Sequence, residues 1–227
     1  MPAPNRPLLL GHRGARAVRS IPENTLDSFD RALADGCDGF EFDVRLTADG
    51  EAVICHDARS GGVEIAAATA AKVGLPRLED VLTRYQERAF LDIELKVGGL
   101  EKNTVALLKK YPPQRGFVVS SFLPEVLLAF GVEDRNVPLG LICETRSELL
   151  RWKELPVEFV IPHHKLVTKS LLRELKGAGK KIVVWTVNDQ AEIERVRDLE
   201  VDGIISDETS LLCRTIGNPT RTKSPNR

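Results

Sequence analysis

The sequence predicts an α/β protein, a (β/α)8 barrel that carries a β-hairpin after its second strand. Three observations predict it. Nine strand-like segments alternate with amphipathic stretches along the chain, the order that builds a parallel sheet covered by helices. Several of these segments are near-continuous runs of Val, Ile, Leu and Phe, the composition of strands buried on both faces. One pair is separated only by Thr47-Ala48-Asp49-Gly50, too short for a parallel crossover, so it folds back through an Asp-Gly turn. Setting one hairpin arm aside leaves eight strands, the number that closes into a barrel, and 227 residues is slightly compact for that fold. The alternative is an open doubly wound sheet, but no Gly-rich phosphate fingerprint follows any strand.

The elements follow in chain order. The first strand is Leu8–His12. Asn24 is placed to cap a helix in which Leu26, Phe29 and Leu33 share a face, and Gly36 ends it. The second strand, Gly39–Leu46, is followed by its hairpin return, 51–56. Later strands are expected at 89–96, 116–121, 137–142, 158–162, 181–187 and 202–206. Leu171, Leu172 and Leu175 form a helical stripe stopped by Gly177 and Gly179, and Ile193, Val196 and Leu199 form another. A single domain over 1–213 is expected. Residues 214–227 hold basic residues and prolines without acids, a composition expected to be a disordered tail.

Composition narrows the function classes. The formal net charge is −1, so no bulk basic field points to nucleic acid or a membrane surface. No apolar run reaches the roughly 18 residues of a transmembrane helix. Residues 1–7 have no apolar stretch of a secretory signal, so a cytoplasmic location is expected. The four cysteines show no CxxC pair, which favours buried thiols in a reducing compartment.

Charged and polar residues recur where strand interiors normally exclude them. His12-Arg13-Gly14 closes the first strand, Glu41-Phe42-Asp43 lies in the second, and His56-Asp57 ends the hairpin return. Glu94-Leu95-Lys96, Ser121-Phe122 and Trp185 end later strands. Active sites of such barrels sit at the C-terminal strand ends. Glu41 and Asp43, two apart, share one face. Hairpin register sets His56 across from Glu41 or Phe42, and a one-residue slip would flip its face. Glu41, Asp43 and Glu94 offer an oxygen-only ligand set for Mg²⁺ or Ca²⁺. Arg13 and Lys96 are cations for phosphoryl oxygens. Two histidines, His12 and His56, can divide proton transfer between base and acid.

The ordered motifs His-Arg-Gly, Pro-Glu-Asn-Thr (22–25), Glu-Phe-Asp-Val, His-Asp, Glu-Leu-Lys and Trp-Thr-Val-Asn resemble those of bacterial glycerophosphodiester phosphodiesterases. The resemblance implies a distorted (β/α)8 barrel and a divalent metal on Glu41, Asp43 and Glu94. It implies His12 as base and His56 as acid, with Trp185 and Phe122 packed on the substrate's glycerol. The substrate would be a small glycerophosphodiester, whose 2-hydroxyl attacks phosphorus to give a cyclic phosphate that water opens. The products would be sn-glycerol 3-phosphate and an alcohol. Two departures stand out. Residues 58–80 are shorter than the family's usual segment, implying a more open mouth. The last strand ends Ser206-Asp207-Glu208 rather than Thr-Asp-x-Pro, a difference given little weight.

Other readings remain. Arg13 pairing with Asp43, or Glu94 with Lys96, would be structural. Glu23-Asn24-Thr25 reads most simply as a helix start. An amidohydrolase-like enzyme would want His-x-His on the first strand, which is lacking. A lysophospholipase D activity or a non-catalytic barrel that binds phosphodiesters are the alternatives closest to the leading reading. Head group, metal and oligomeric state stay open.

Overall fold

The computed structural model describes residues 6–217. Its strands are β1 (Leu8–His12), β2 (Gly39–Leu46), β3 (Ala52–Ile54), β4 (Arg59–Ser60), β5 (Val63–Glu64), β6 (Phe90–Leu95), β7 (Phe117–Ser121), β8 (Leu139–Cys143), β9 (Phe159–Pro162), β10 (Lys181–Val184) and β11 (Gly203–Ser206). Its α-helices are α1 (Leu26–Asp35), α2 (Ala70–Val73), α3 (Leu78–Tyr85), α4 (Glu101–Lys110), α5 (Pro124–Glu133), α6 (Arg146–Leu150), α7 (Lys169–Gly177), α8 (Gln190–Arg197) and α9 (Thr209–Ile216).

Eight parallel strands close on themselves in the order β1-β2-β6-β7-β8-β9-β10-β11, with β1 paired to both β2 and β11. The barrel is therefore complete, and β3 is the antiparallel hairpin arm on the end of β2. Val44 faces Ile54 and Arg45 faces Val53, so continuing the register sets His56 beside Phe42. Residues 58–80 form a second small hairpin, β4–β5, then a 3₁₀ turn and α2.

Alternation along each strand divides the core in two. Inside the barrel sit Leu10, Phe90, Val118, Ile142, Phe159, Ile161, Val183 and Ile205. The outward set, including Phe40, Phe42, Leu91, Ile93, Val160, Ile182 and Ile204, packs under the helices. This is the period of two that a strand buried on both faces imposes. Phe29 of α1 stacks on Phe40 with centroids 4.2 Å apart, and Tyr85 of α3 meets Phe40 edge-on at 5.0 Å. At the base of β2, a Cβ on Gly39 would overlap the Phe90 carbonyl, so only glycine permits this close approach of β2 and β6.

Three local expectations are corrected. Asn24 is not the cap of α1. Thr25 is, accepting a hydrogen bond from the Ser28 N–H, while Asn24 turns inward. The strand expected over 181–187 stops at Val184; beyond it Trp185 keeps a single parallel bridge to His163, and the Val187 N–H donates to the Ile205 carbonyl. The last helix runs through Arg214 to Ile216, past the expected 213/214 boundary, because Leu212 and Ile216 share a buried face. The remainder of the expected tail, 218–227, lies outside the described residues.

Candidate active site

The inward face of the barrel changes character towards its C-terminal end. On β1, Leu10 is followed two residues later by His12. On β6, Phe90 is followed by Asp92, Glu94 and then Lys96. On β10, Val183 is followed by Trp185. The same face that is apolar below becomes ionisable above, which sets the site on an apolar floor. His12, Arg13, Glu41, His56, Asp92, Glu94, Lys96, Phe122, Glu144 and Trp185 line one cavity of about 260 Å³ floored by Ile142, Ile161 and Ile205. Eight of the nine expected site residues line that cavity. The ninth, Asp43, sits beneath it, 1 % exposed and hydrogen-bonded by the Asn24 amide at 2.8 Å.

The loop after β1 is held in an unusual backbone. Arg13 has φ +52° and Asn24 φ +57°, conformations that non-glycine residues rarely adopt. Gly14 follows at φ +82°, and a Cβ there would collide with Ser28 of α1. The geometry is secured by the Glu41 carboxylate, which accepts from the Arg13 N–H at 2.9 Å, and by the Asn24 N–H donating to the Arg13 carbonyl. Such strain persists where surrounding bonds over-determine it, often at functional sites.

Each histidine is tethered through Nδ1. His12 Nδ1 lies 2.7 Å from Asp207 Oδ1, and His56 Nδ1 lies 2.7 Å from Asp57 Oδ1. Both Nε2 atoms are thereby left for other work, and that of His12 sits 3.9 Å from Glu41. The His56 carbonyl also accepts two bonds from the Arg45 guanidinium, at 2.9 and 2.7 Å. Asp207 is further held by Asn188 at 2.6 Å and Arg16 at 3.3 Å. Burial raises its carboxyl, but the His12 ring, Asn188 and Arg16 outweigh this and bring it down to about 2.

Glu41, Asp43 and Glu94 bring one oxygen each within 4.8 Å of one another. Burial pushes the Glu41 carboxyl well above its ordinary range, and Asp43 and Glu94 add to the push. Burial and Asp43 raise Glu94 to about 7, against the pull of Lys96. Burial also raises Asp92 to about 7, although Ser120 donates to it at 2.5 Å. Asp43 alone of the four falls, because Lys96, Arg13 and Asn24 outweigh its burial. Glu41 Oε1 and Asp92 Oδ2 are buried without a hydrogen-bond partner, and Asp43 Oδ1 has only the Lys96 ammonium 3.3 Å away. Buried carboxylate oxygens normally have a partner, and an all-oxygen set of this kind fits a hard divalent cation. The residues present therefore fit a metal ion.

The site's own cations are engaged. Lys96 Nζ is 2.6 Å from Glu94 and 3.3 Å from Asp43. Arg13 bonds Glu23 at 2.7 Å and reaches Asp43 at 3.3 Å. Both structural pairings considered from sequence thus exist beside the cavity. Trp185 is fixed by its Nε1–H donating to the Ile161 carbonyl at 2.9 Å, and its ring meets Phe122 edge-on at 5.5 Å. His164 is taken by Glu192, and the His163 ring packs against Trp185.

Sequence reasoning passed over Asp207, Asp92 and Glu144. A signal was available for all three. Asp207 is two residues after Ile205, Asp92 two after Phe90, and Glu144 two after Ile142, each continuing an inward-facing series. Asn24 was assigned to a helix cap, and only the fold shows its amide on Asp43.

A model of the glycerophosphoryl diester phosphodiesterase family matches residues 12–83 and 68–211. A glycerophosphodiester phosphodiesterase of Caldanaerobacter subterraneus subsp. tengcongensis is 27% identical, the match covering 92% of this chain and 97% of the relative. A solved glycerophosphodiester phosphodiesterase from Thermotoga maritima superposes with a TM-score of 0.78 at 26% identity, covering 93% of this chain and 99% of that one. Another, from Parabacteroides distasonis, reaches a TM-score of 0.84 at 24% identity, over 94% and 98% of the two chains.

Proposed function

The chain belongs to the glycerophosphoryl diester phosphodiesterase family of phosphoric diester hydrolases, and from that premise we propose that it hydrolyses small glycerophosphodiesters to sn-glycerol 3-phosphate and an alcohol, with a divalent cation, Mg²⁺ or Ca²⁺, on Glu41, Asp43 and Glu94. The observation that carries the reading is one small cavity lined by two imidazoles, each tethered through Nδ1, above buried carboxylates with unsatisfied oxygens. A bound divalent cation supplies Lewis-acid stabilisation of charge developing on the phosphoryl group.

The chain's own residues do the rest. His12 Nε2 takes the proton of the glycerol 2-hydroxyl, and Asp207 stabilises the imidazolium that forms. The oxygen attacks phosphorus, the bond to the alcohol oxygen breaks, and His56 Nε2 gives that oxygen a proton. The product of this step is a cyclic phosphate. Water then opens the ring with the two histidines in exchanged roles. Arg13 and Lys96 hold phosphoryl oxygens, Arg13 through its fork and Lys96 as a point charge. When substrate enters, Lys96 exchanges part of its contact with Glu94 for a phosphoryl oxygen. Trp185 and Phe122, already locked edge to face, give the glycerol carbons a rigid apolar wall.

Cavity size favours a small substrate. A volume of about 260 Å³ lies at the low end for ligand pockets, and its apolar members Ile142, Ile161 and Ile205 are interior floor residues. The test is release of sn-glycerol 3-phosphate from glycerophosphocholine and glycerophosphoethanolamine, after EDTA treatment and then with Mg²⁺ or Ca²⁺ restored. Metal-restored release supports the reading. A folded protein releasing none with either metal overturns it.

A further inference from the structure

Cys37 and Cys213 are 176 positions apart in sequence, yet their sulfurs lie 3.7 Å apart. Cys37 precedes β2 at the N-terminal end of the barrel, the end opposite the catalytic cavity, and Cys213 lies on α9. The backbone brings them together, since a Cβ on neighbouring Gly36 would stand 3.7 Å from the Cys213 Cβ. Buried Ala15 and Ala32 and partly buried Val18 pack around the pair. Cys37 is buried, and Cys213 is partly open to solvent. The charged groups facing the sulfurs are Asp35, Asp38 and Arg6. The hydrogen bond from the Cys37 thiol, with a smaller pull from Arg6, holds the Cys213 thiol below its ordinary value against burial and the two aspartates.

We propose that Cys37 and Cys213 form an oxidative cross-linking site that takes a low-molecular-weight disulfide as its oxidant. The Cys213 thiolate attacks one sulfur of that disulfide, forming a mixed disulfide and releasing one thiolate. Cys37 gives up its proton and attacks the Cys213 sulfur, and the second small thiol leaves. Two protein thiols lose two electrons, and the small disulfide becomes two thiols. The bond ties α9 to the start of β2, across the seam where β1 lies between β2 and the last barrel strand, β11. It closes a very long loop of chain, the case in which a cross-link most constrains the unfolded state.

The test treats the full chain with oxidised glutathione and counts thiols after denaturation. Four are free at the start. The expected result is loss of two thiols, no retained glutathione, and a peptide map joining positions 37 and 213. The melting midpoint should rise by about 5 °C or more and return with dithiothreitol, while phosphodiesterase turnover stays within twofold. Cys213→Ser and Cys37→Ser should each lose the cross-link and the midpoint shift, and either variant suffices if the other does not fold. Retention of all four thiols, a stable glutathione adduct at Cys213, or a bond through Cys55 or Cys143 would overturn the proposal.

Discussion

Asp207 shows how one carboxylate can govern both chemistry and stability. It fixes the His12 ring through Nδ1 at 2.7 Å and is itself aimed by Asn188. Asp207→Asn retains the shape but offers an amide to a ring nitrogen that needs an acceptor. We expect kcat/KM to fall by about 10²-fold, and an unchanged rate would remove Asp207 from the proton path. The carboxyl's pKa is depressed to about 2 in the folded chain, below the ordinary value near 3.9. Its stabilisation is therefore present above pH ~4 and lost as pH falls through about 2. The wild type should exceed Asp207→Asn by about 1–2 kcal/mol at pH 7, after allowing for solvent screening at the rim, with the gap closing between pH ~5 and ~2. A gap that widens on acidification would contradict that sign. His12→Ala and His56→Ala should each reduce turnover by at least about 10²-fold, His56→Ala with little change in melting midpoint and His12→Ala with a lower one, because it leaves Asp207 without the ring that holds it. Wild-type rates in either would end the acid–base assignment. The histidines were legible in sequence because charge at a strand end is rare. Asp207 carries little weight in the sequence because nothing there places it against the His12 ring, 195 positions away.

At the level of elements, the start of α1 separates two jobs that sequence alone assigns to one residue. Asn24 and Thr25 both belong to the usual capping set, and nothing in their order says which one caps. The fold decides it. Asn24 adopts positive φ, and its amide is drawn to buried Asp43, leaving Thr25 to receive the Ser28 N–H. The two positions should therefore fail differently. Thr25→Ala should cost about 1 kcal/mol in denaturant unfolding while turnover stays within twofold. Asn24→Gly tolerates the backbone but removes the amide from Asp43, so turnover should fall by roughly tenfold or more, in line with the loss of a supporting contact to a proposed metal ligand. The reverse pattern would mean that Asn24 is the cap after all. The hairpin was more readable than the cap. A four-residue link with Asp-Gly admits few geometries, and the observed pairing of Val44 with Ile54 sets His56 beside Phe42, one of the two expected partners. The end of β10 at Val184 was hidden, because Trp185 and Val187 read as strand residues until their tertiary bonds are known.

Across the whole molecule, barrel closure gathers more negative charge than the protein can neutralise by itself. β2 and β6 alone contribute four inward carboxylates, a cost invisible in a sequence of net charge −1. Glu41, Asp43, Asp92 and Glu94 meet at two successive levels of the sheet, with Lys96 and Arg13 the permanent cations against them. The alternation of β and α, and the count of strands, were legible because they follow from local periodicity. This convergence was only half legible, because it depends on neighbouring strands being in register, with Glu41 beside Asp92 and Asp43 beside Glu94. If a cation completes the site, folding and metal binding are linked. At a free metal concentration of about 100 Kd the native state gains about 2.7 kcal/mol, which for a chain of this size raises the melting midpoint by roughly 5–10 °C. Glu41→Gln should abolish most of that rise and weaken metal affinity in calorimetric titration. In metal-free buffer the same variant should melt at or above the wild-type temperature, because a buried carboxyl crowded by like charges has become neutral. An undiminished metal-induced rise in Glu41→Gln would take Glu41 out of the ligand set. A lower metal-free midpoint would mean instead that the bond to the Arg13 N–H outweighs the charge repulsion, making Glu41 first of all a support for the strained loop.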